Sequence, residues 1–439
     1  MAYSRTRDSR GLNVPEYQYA NTQNVKYETV IIPSTSQTAF GAYSIFDFKD
    51  KACLLNDIIL QFQVSNLNAG PNEPEVSTPR LTSAFNWFTR IEIVQNNQII
   101  DTIYPQSNFL LHQLFLTDEE RKKVNDGAGD YMSPYKCYMK TKNQEYWYVP
   151  LWTYFKTGHI PCLYPKDDVQ IRLYMDTLAN NLYVEGRATQ WPNGVITPVT
   201  ATLTCNLVCN LTRLGQDLNL YRLQSLNKAP EQYKFLEMRY GTTTVPVNSN
   251  ANPQFNYVLN SVTGNVVFLL AIVRPSNFTG PGGTYDPFQY LPVLNFSLLD
   301  STSTNISGGQ PVPLSLVQGY LSRQWTASSY YTDVKNTYID TTINQSAYWA
   351  ANTTSPNYFS STGGRLFETT TNVIMYSFSD DPIHAATLGA ANNGHRFHGS
   401  EQLQLQFAGP ITTGYNLDIY AFVESAVEIT PTYVKKVSL

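Results

Sequence analysis

The chain has 439 residues. One hydrophobic core stops growing at roughly 250–300 residues, so two domains are expected. Charged residues make up only 15% and apolar residues 42%, against an ordinary charged share of about 25%; this excludes a disordered chain and points to surface that meets other protein. A net charge of −4 gives the chain as a whole no pull toward nucleic acid.

Residues 1–27 are polar and irregular, and Arg5, Arg7 and Arg10 form a small basic arm against the single acid Asp8. A membrane headgroup, packaged nucleic acid and a neighbouring subunit are its candidate partners, beside the plain reading of a solvated terminus. From there short strands alternate with turns. Ile58, Leu60, Phe62 and Val64 share one face of a strand. Arg90–Val94 and Ile99-Ile100 flank Asn96-Asn97, a pair that tolerates positive φ and predicts a tight hairpin. Ser107 to Lys123 reads as helical: Phe109, Leu110 and Leu114 share a face, and Thr117 is placed to cap a turn ahead of Asp118-Glu119-Glu120. Tyr146–Thr153 and Val169–Met175 are further strands. Leu203, Cys205, Leu207 and Cys209 then alternate along another.

Gly215 to Pro230 breaks the rhythm, has mildly helical spacing that ends at Pro230, and is taken as the linker. Beyond it the programme repeats. Val266–Val273 is a buried strand, far short of the about 20 apolar residues of a membrane span. A Gly/Pro loop over Thr279–Pro287 leads to the strand Leu294–Leu298, then a Gly308-Gly309 turn and a helix start at Pro313–Val317, with Leu321 and Trp325 continuing its apolar face. Asn372–Ser379, Glu401–Phe407 and Asn416–Val427 are late strands. The polar stretch Ala327–Thr371 is expected to project as a long loop, with Asn125–Gln144 as its first-half counterpart.

The same offset separates Ile93 from Phe296 and Leu114 from Val317, one pair in strands and one in helices. Two related domains are therefore expected: a first over 28–214, a linker over 215–230, a second over 231–430 and a C-terminal tail over 431–439. Short strands throughout point to an all-β fold of two sandwiches, immunoglobulin-like or jelly-roll, and a helix at one place in each half favours the jelly roll.

Reactive chemistry is expected to be absent, and no catalytic, cofactor-binding or metal-binding residue is assigned. His384, His395 and His398 lie near one another in sequence, yet no cysteine accompanies them, and zinc sites need three or four ligands at defined spacing. Asp167-Asp168 and Asp380-Asp381 read as turn residues, because adjacent acids on a strand face opposite ways. The glycines Gly264, Gly280, Gly282 and Gly283 fit no phosphate-binding motif. Cys53, Cys137, Cys162, Cys205 and Cys209 are odd in number and follow a start without an apolar leader, so reduced thiols are expected. The Asn-x-Ser/Thr triplets at Asn210, Asn277, Asn295, Asn305, Asn344 and Asn352 then stay unmodified.

Four stretches, in order, carry a resemblance: Ser83–Tyr104, Val149–Met175, Met375–Phe407 and Leu417–Val427. Their strand–turn–strand pattern before a helix, Pro-Leu-x-x-aromatic segment, Tyr-Ser-Phe-x-x-x-Pro element and closing strand resemble the double jelly-roll major capsid proteins. That family includes those of virophages, polinton-like viruses and giant DNA viruses and, more distantly, the adenovirus hexon and tectivirus capsid protein. The resemblance implies two tandem eight-stranded jelly rolls with short helices in loops. It implies a homotrimeric, pseudo-hexagonal capsomer that tiles an icosahedral shell. It also implies neighbouring capsomers, penton and minor capsid proteins as partners, and no small-molecule substrate. The implied place is the virion, after assembly inside the host cell and without secretion. The two polar loops then point outward, and Arg5, Arg7 and Arg10 face inward toward packaged DNA or an internal membrane. A viral spike or fibre, or a lectin-like protein of two β-sandwiches stacking sugars on the loop around Trp349, is the alternative.

Overall fold

The computed structural model describes residues 25–48, 53–68, 80–129, 140, 143–158, 169–183, 200–276, 288, 290–291, 293–327, 372–388, 393–412 and 414–437. The basic arm, the excursion after Ala327, the Gly/Pro loop, Asp167-Asp168, His159, Cys137 and Cys162 lie outside the described residues, as do the parts of Asn125–Gln144 over 130–139 and 141–142.

The first half contributes β1 (Val25–Pro33), β2 (Tyr43–Phe48), β3 (Cys53–Asn68), β4 (Arg80–Leu81), β5 (Phe88–Gln95), β6 (Gln98–Ile103), β7 (Tyr146–Pro150), β8 (Val169–Met175), β9 (Leu182–Tyr183) and β10 (Thr200–Leu214). The second contributes β11 (Glu231–Val245), β12 (Gln254–Val258), β13 (Thr263–Pro275), β14 (Val293–Leu299), β15 (Val312–Pro313), β16 (Ile374–Ser377), β17 (His395–His398), β18 (Gln402–Phe407), β19 (Tyr415–Ile429) and β20 (Val434–Val437). Sheets of order β1-β10-β3-β7 and β2-β8-β5-β6 build the first half, and sheets of order β11-β19-β13-β16 and β12-β18-β14-β15 build the second. Among the described residues, with the short β4 and β9 and the added β17 and β20 set aside, each half has eight strands. Numbered along the chain within its half, each has the sheet orders 1-8-3-6 and 2-7-4-5. That arrangement is the jelly roll, and its occurrence twice with every pairing antiparallel makes this an all-β double jelly roll.

Alternation sets the faces. Ile58, Leu60, Phe62 and Val64 of β3, and Leu203, Cys205, Leu207 and Cys209 of β10, are buried between the two sheets of the first half. Trp87 anchors this core, with its ring 5.0 Å from Trp147 and 5.3 Å from Phe62. Burial pushes the Cys205 thiol well up, which suits a packed, unreactive sulfur. Asn96 and Asn97 both adopt positive φ, 48° and 57°, in the β5–β6 hairpin. In β13, Val266 to Val273 is buried on both faces, one of them against the other half.

The helical stretch after β6 is two helices, Pro105–Phe115 and Asp118–Ala128. Thr117 and Glu120 close a reciprocal capping box between them: the Glu120 carboxylate accepts from the Thr117 backbone N–H at 3.1 Å and from its hydroxyl at 2.8 Å, which draws the Glu120 pKa down. The corresponding helix of the second half spans Leu314–Leu316 and Ser322–Trp325, joined by a π-turn over Val317–Leu321.

Two connecting segments carry regular structure. The stretch taken as a linker contains the helix Gln216–Lys228, tied to β11 by the buried Arg222, whose Nη2 donates to the Glu231 carboxylate and, at 2.9 Å, to the Tyr233 hydroxyl. The stretch taken as a tail contains β20, which extends the sheet along β19, while the Lys436 N–H donates to Gln98 Oε1 of the first half at 3.1 Å. The contact of Lys436 with Gln98 joins residues remote in sequence, which local polarity does not reveal.

Candidate functional site

Asp381, His395 and the backbone at His398 make local contacts. Asp381 caps the helix Pro382–Leu388 by accepting from the His384 N–H at 2.9 Å. His395 stacks on Phe378 at 5.2 Å. The N–H groups of His398, Gly399 and Ser400 converge on the buried Glu401 carboxylate. Among the described residues no three His, Cys, Asp or Glu side chains gather as metal ligands would. Gly264, at φ 101°, lies in β13 opposite Phe397.

The chemistry-rich interior lies where the halves meet. The outer face of the β11–β19–β13–β16 sheet carries Met238, Tyr240, Phe268, Leu270, Tyr420 and Phe422, and it packs on the first half. Phe115 meets Phe268 at 5.4 Å, and Tyr104 meets Tyr240 at 4.3 Å. A small gap of about 30 Å³ remains between Leu111, Trp152 and Tyr154 on one side and Met238, Phe268 and Phe422 on the other. Burial in this region pushes the Asp101 carboxyl up to about 6, against the N–H donated to it by Tyr154 at 2.9 Å. At one margin of the joint, the fully buried Asp418 accepts from Tyr240 Oη at 3.0 Å, Thr242 Oγ1 at 2.7 Å and Arg274 Nε. This compensates a charge that burial alone would penalise.

The equivalent face of the first half is open. On β1, Tyr27 is 75% and Ile31 60% exposed, and Tyr146 and Tyr148 are exposed on β7 at the far side of the sheet. Register places Ile31 beside Val208, Val208 beside Ile59, and Gln61 between Asn206 and Tyr148. This face is built from Thr, Asn, Gln, Val, Ile and Tyr, and its charge at Asp57 is matched by Lys156 at 3.3 Å. A large, charge-poor, aromatic-bearing surface is the composition of a protein interface. The sequence reading found the buried half of this alternation and left its partner unread. The signal was there, since Thr204, Asn206, Val208 and Asn210 occupy outward positions of β10 where an ordinary solvated strand carries Lys or Glu.

No protein-family model matches the chain, and no curated protein matches it. Solved structures do. VP54 of the virus PBCV-1, fitted into a reconstruction of the virophage Sputnik, superposes with a TM-score of 0.62 at 13% identity, over 96% of this chain and 99% of that one. The Faustovirus major capsid protein gives 0.58 at 9%, over 96% and 93%. A chain of the Sputnik virophage structure gives 0.56 at 12%, over 100% and 93%. The chain thus shares, over nearly its whole length, the fold of viral capsid proteins built as double jelly rolls.

Proposed function

We propose that this chain is a viral major capsid protein, a structural subunit and not a catalyst, three copies of which form a pseudo-hexagonal capsomer that tiles an icosahedral shell. The observation that carries this reading is the duplication itself. Two jelly rolls of identical strand order stand side by side in one chain, with one sheet face covered by the other half and the matching face open. Three such chains present six equivalent sandwiches to a ring, and a six-cornered block tiles a flat lattice. The full-length likeness to capsid proteins supports the same reading.

In this proposal the jelly rolls occupy about 28–214 and 231–430, with the helix Gln216–Lys228 between them. The protein is made and assembled inside the host cell, without secretion, and resides in the virion among neighbouring capsomers, penton and minor proteins. Its basic arm, Arg5, Arg7 and Arg10, faces packaged DNA or an internal membrane. The decisive experiment is native mass measurement of the purified chain followed by electron microscopy of assembled material. A trimer, and a hexagonal lattice of such trimers, are expected. A chain that stays monomeric and forms no lattice overturns the proposal.

A further inference from the structure

The gap at the joint is lined from both halves, and one of its polar groups is unpaired. Thr153, which follows β7, is 1% exposed, and its hydroxyl meets no hydrogen-bond partner among the described residues. Asp101 of β6 lines the same gap and accepts from the Tyr154 N–H at 2.9 Å. The volume of about 30 Å³ is more than one water needs, about 10–15 Å³. A buried hydroxyl without a partner costs free energy, and a water with several polar neighbours removes that cost. Among the described residues, the charges that act on Asp101 come from Glu237 of β11 and Lys436 of β20. These two are paired with each other at 2.9 Å, so Lys436 is only partly available to steady a second carboxylate. The helix Pro105–Phe115, β13, β19 and the helix Pro382–Leu388 face the gap with uncharged groups, Leu111, Phe268, Phe422 and Ala386.

We infer that this gap is a binding site for one proton and one water molecule: Asp101 takes up the proton, and the water bridges its carboxyl group to the Thr153 hydroxyl, so that mild acid tightens the joint between the two jelly rolls. The protonated carboxyl group donates to the water, and the water donates to Thr153 Oγ1. The other carboxyl oxygen keeps the Tyr154 N–H. Without the proton, a negative charge stands in a largely apolar gap beside the Glu237 carboxylate, and the joint bears its desolvation. That burial is the main reason the Asp101 carboxyl stands at about 6, with Glu237 adding to it and Lys436 and the N–H groups of Tyr154 and Thr102 working against it. An unfolded aspartate releases its proton near pH 3.9. Between these values the folded chain holds a proton that the unfolded chain has lost. The contribution to stability is complete below about 3.9 and is lost as pH rises through about 6.

The test uses the full chain and three single variants at matched concentration. Asp101→Asn keeps an acceptor for the Tyr154 N–H and removes the titration. The infrared difference between the unchanged chain and this variant is expected to show one protonated carboxyl group that ionises with a midpoint at about pH 6. Lys436→Gln is expected to move that midpoint upward, because it removes a positive charge and releases the negative charge of Glu237. In urea, the unchanged chain is expected to gain about tenfold in folding equilibrium constant over Asp101→Asn between pH 7 and pH 5. His112 titrates in both chains and cancels in that ratio. Thr153→Val separates a hydrated hydroxyl from an idle one. Losing a water-bonded hydroxyl is expected to lower the folding equilibrium constant at pH 5 about fivefold, whereas losing an idle buried hydroxyl raises it. A stability ratio that does not change with pH, or a carboxyl midpoint that Lys436→Gln leaves in place, overturns the proton site. A Thr153→Val chain more stable than the unchanged one overturns the water.

Discussion

His112 shows how far the interior of this chain departs from water. Its ring is fully buried, edge-on to Trp152 at 5.2 Å, with Nδ1 2.7 Å from the Asn108 carbonyl. Burial, with a smaller contribution from the positive charge of Lys156, pulls its pKa down to about 3. An unfolded chain takes up this proton near pH 6.5, so between that value and about 3 the unfolded state binds a proton that the folded state refuses. The contribution is complete above about 6.5 and drains as pH falls, by about 1.4 kcal/mol per pH unit within the window. His112→Gln keeps a donor for the Asn108 carbonyl and removes the titration. Calorimetry between pH 7 and pH 4 is expected to show the unchanged chain losing stability more steeply than the variant; parallel slopes would refute the assignment.

At the scale of elements, turns and caps locate the helices. Asp118–Ala128 is opened by the Thr117/Glu120 box and closed by Gly129 in the left-handed region at φ 71°. A Cβ there would stand 1.9 Å from the Trp147 ring, the same ring that packs on Trp87 at the centre of the first core. Gly129→Ala therefore combines a strained backbone with overpacking. A loss of about 3 kcal/mol or more is expected, read as a lowered denaturant midpoint. Ala at Gly308, where φ is also positive but the surroundings are open, is expected to cost no more than about 1–2 kcal/mol.

At the scale of the molecule, the two jelly rolls share one interior. Phe109 stacks on Phe288 at 4.0 Å, Tyr154 meets Phe235 at 5.4 Å, and the Tyr290 hydroxyl donates to Gln106 Oε1 at 2.8 Å. Each of these contacts joins the first half to the second. Burial of even one large aromatic is worth about 2–3 kcal/mol, so neither half is expected to behave as an independent soluble domain. Residues 25–214 expressed alone are expected to bind a hydrophobic dye and aggregate, and co-expression with residues 215–437 is expected to suppress both. A monodisperse, dye-silent first half would show the joint to be dispensable.

Much of this architecture is legible in one dimension. Period-two alternation around Ile58–Val64 and Leu203–Cys209 marks buried strand faces, Asn96-Asn97 marks a hairpin and Thr117 marks a cap, each a short-range consequence of backbone geometry, while the shared offset of Ile93/Phe296 and Leu114/Val317 marks duplication through the repeated order of elements. The Gln216–Lys228 helix shows in the mildly helical spacing of its residues, whereas β20 was not legible as an ordered element, since Lys436 finds Gln98 only after folding. The sheet orders were equally out of reach of pattern: β1 and β10 lie far apart in sequence and pair residue for residue in space. The sequence by itself determined that the chain is all-β, duplicated and poor in charge. Tertiary structure alone decided that one of two equivalent sheet faces is covered and the other open, because coverage depends on which remote surface the chain brings against each face.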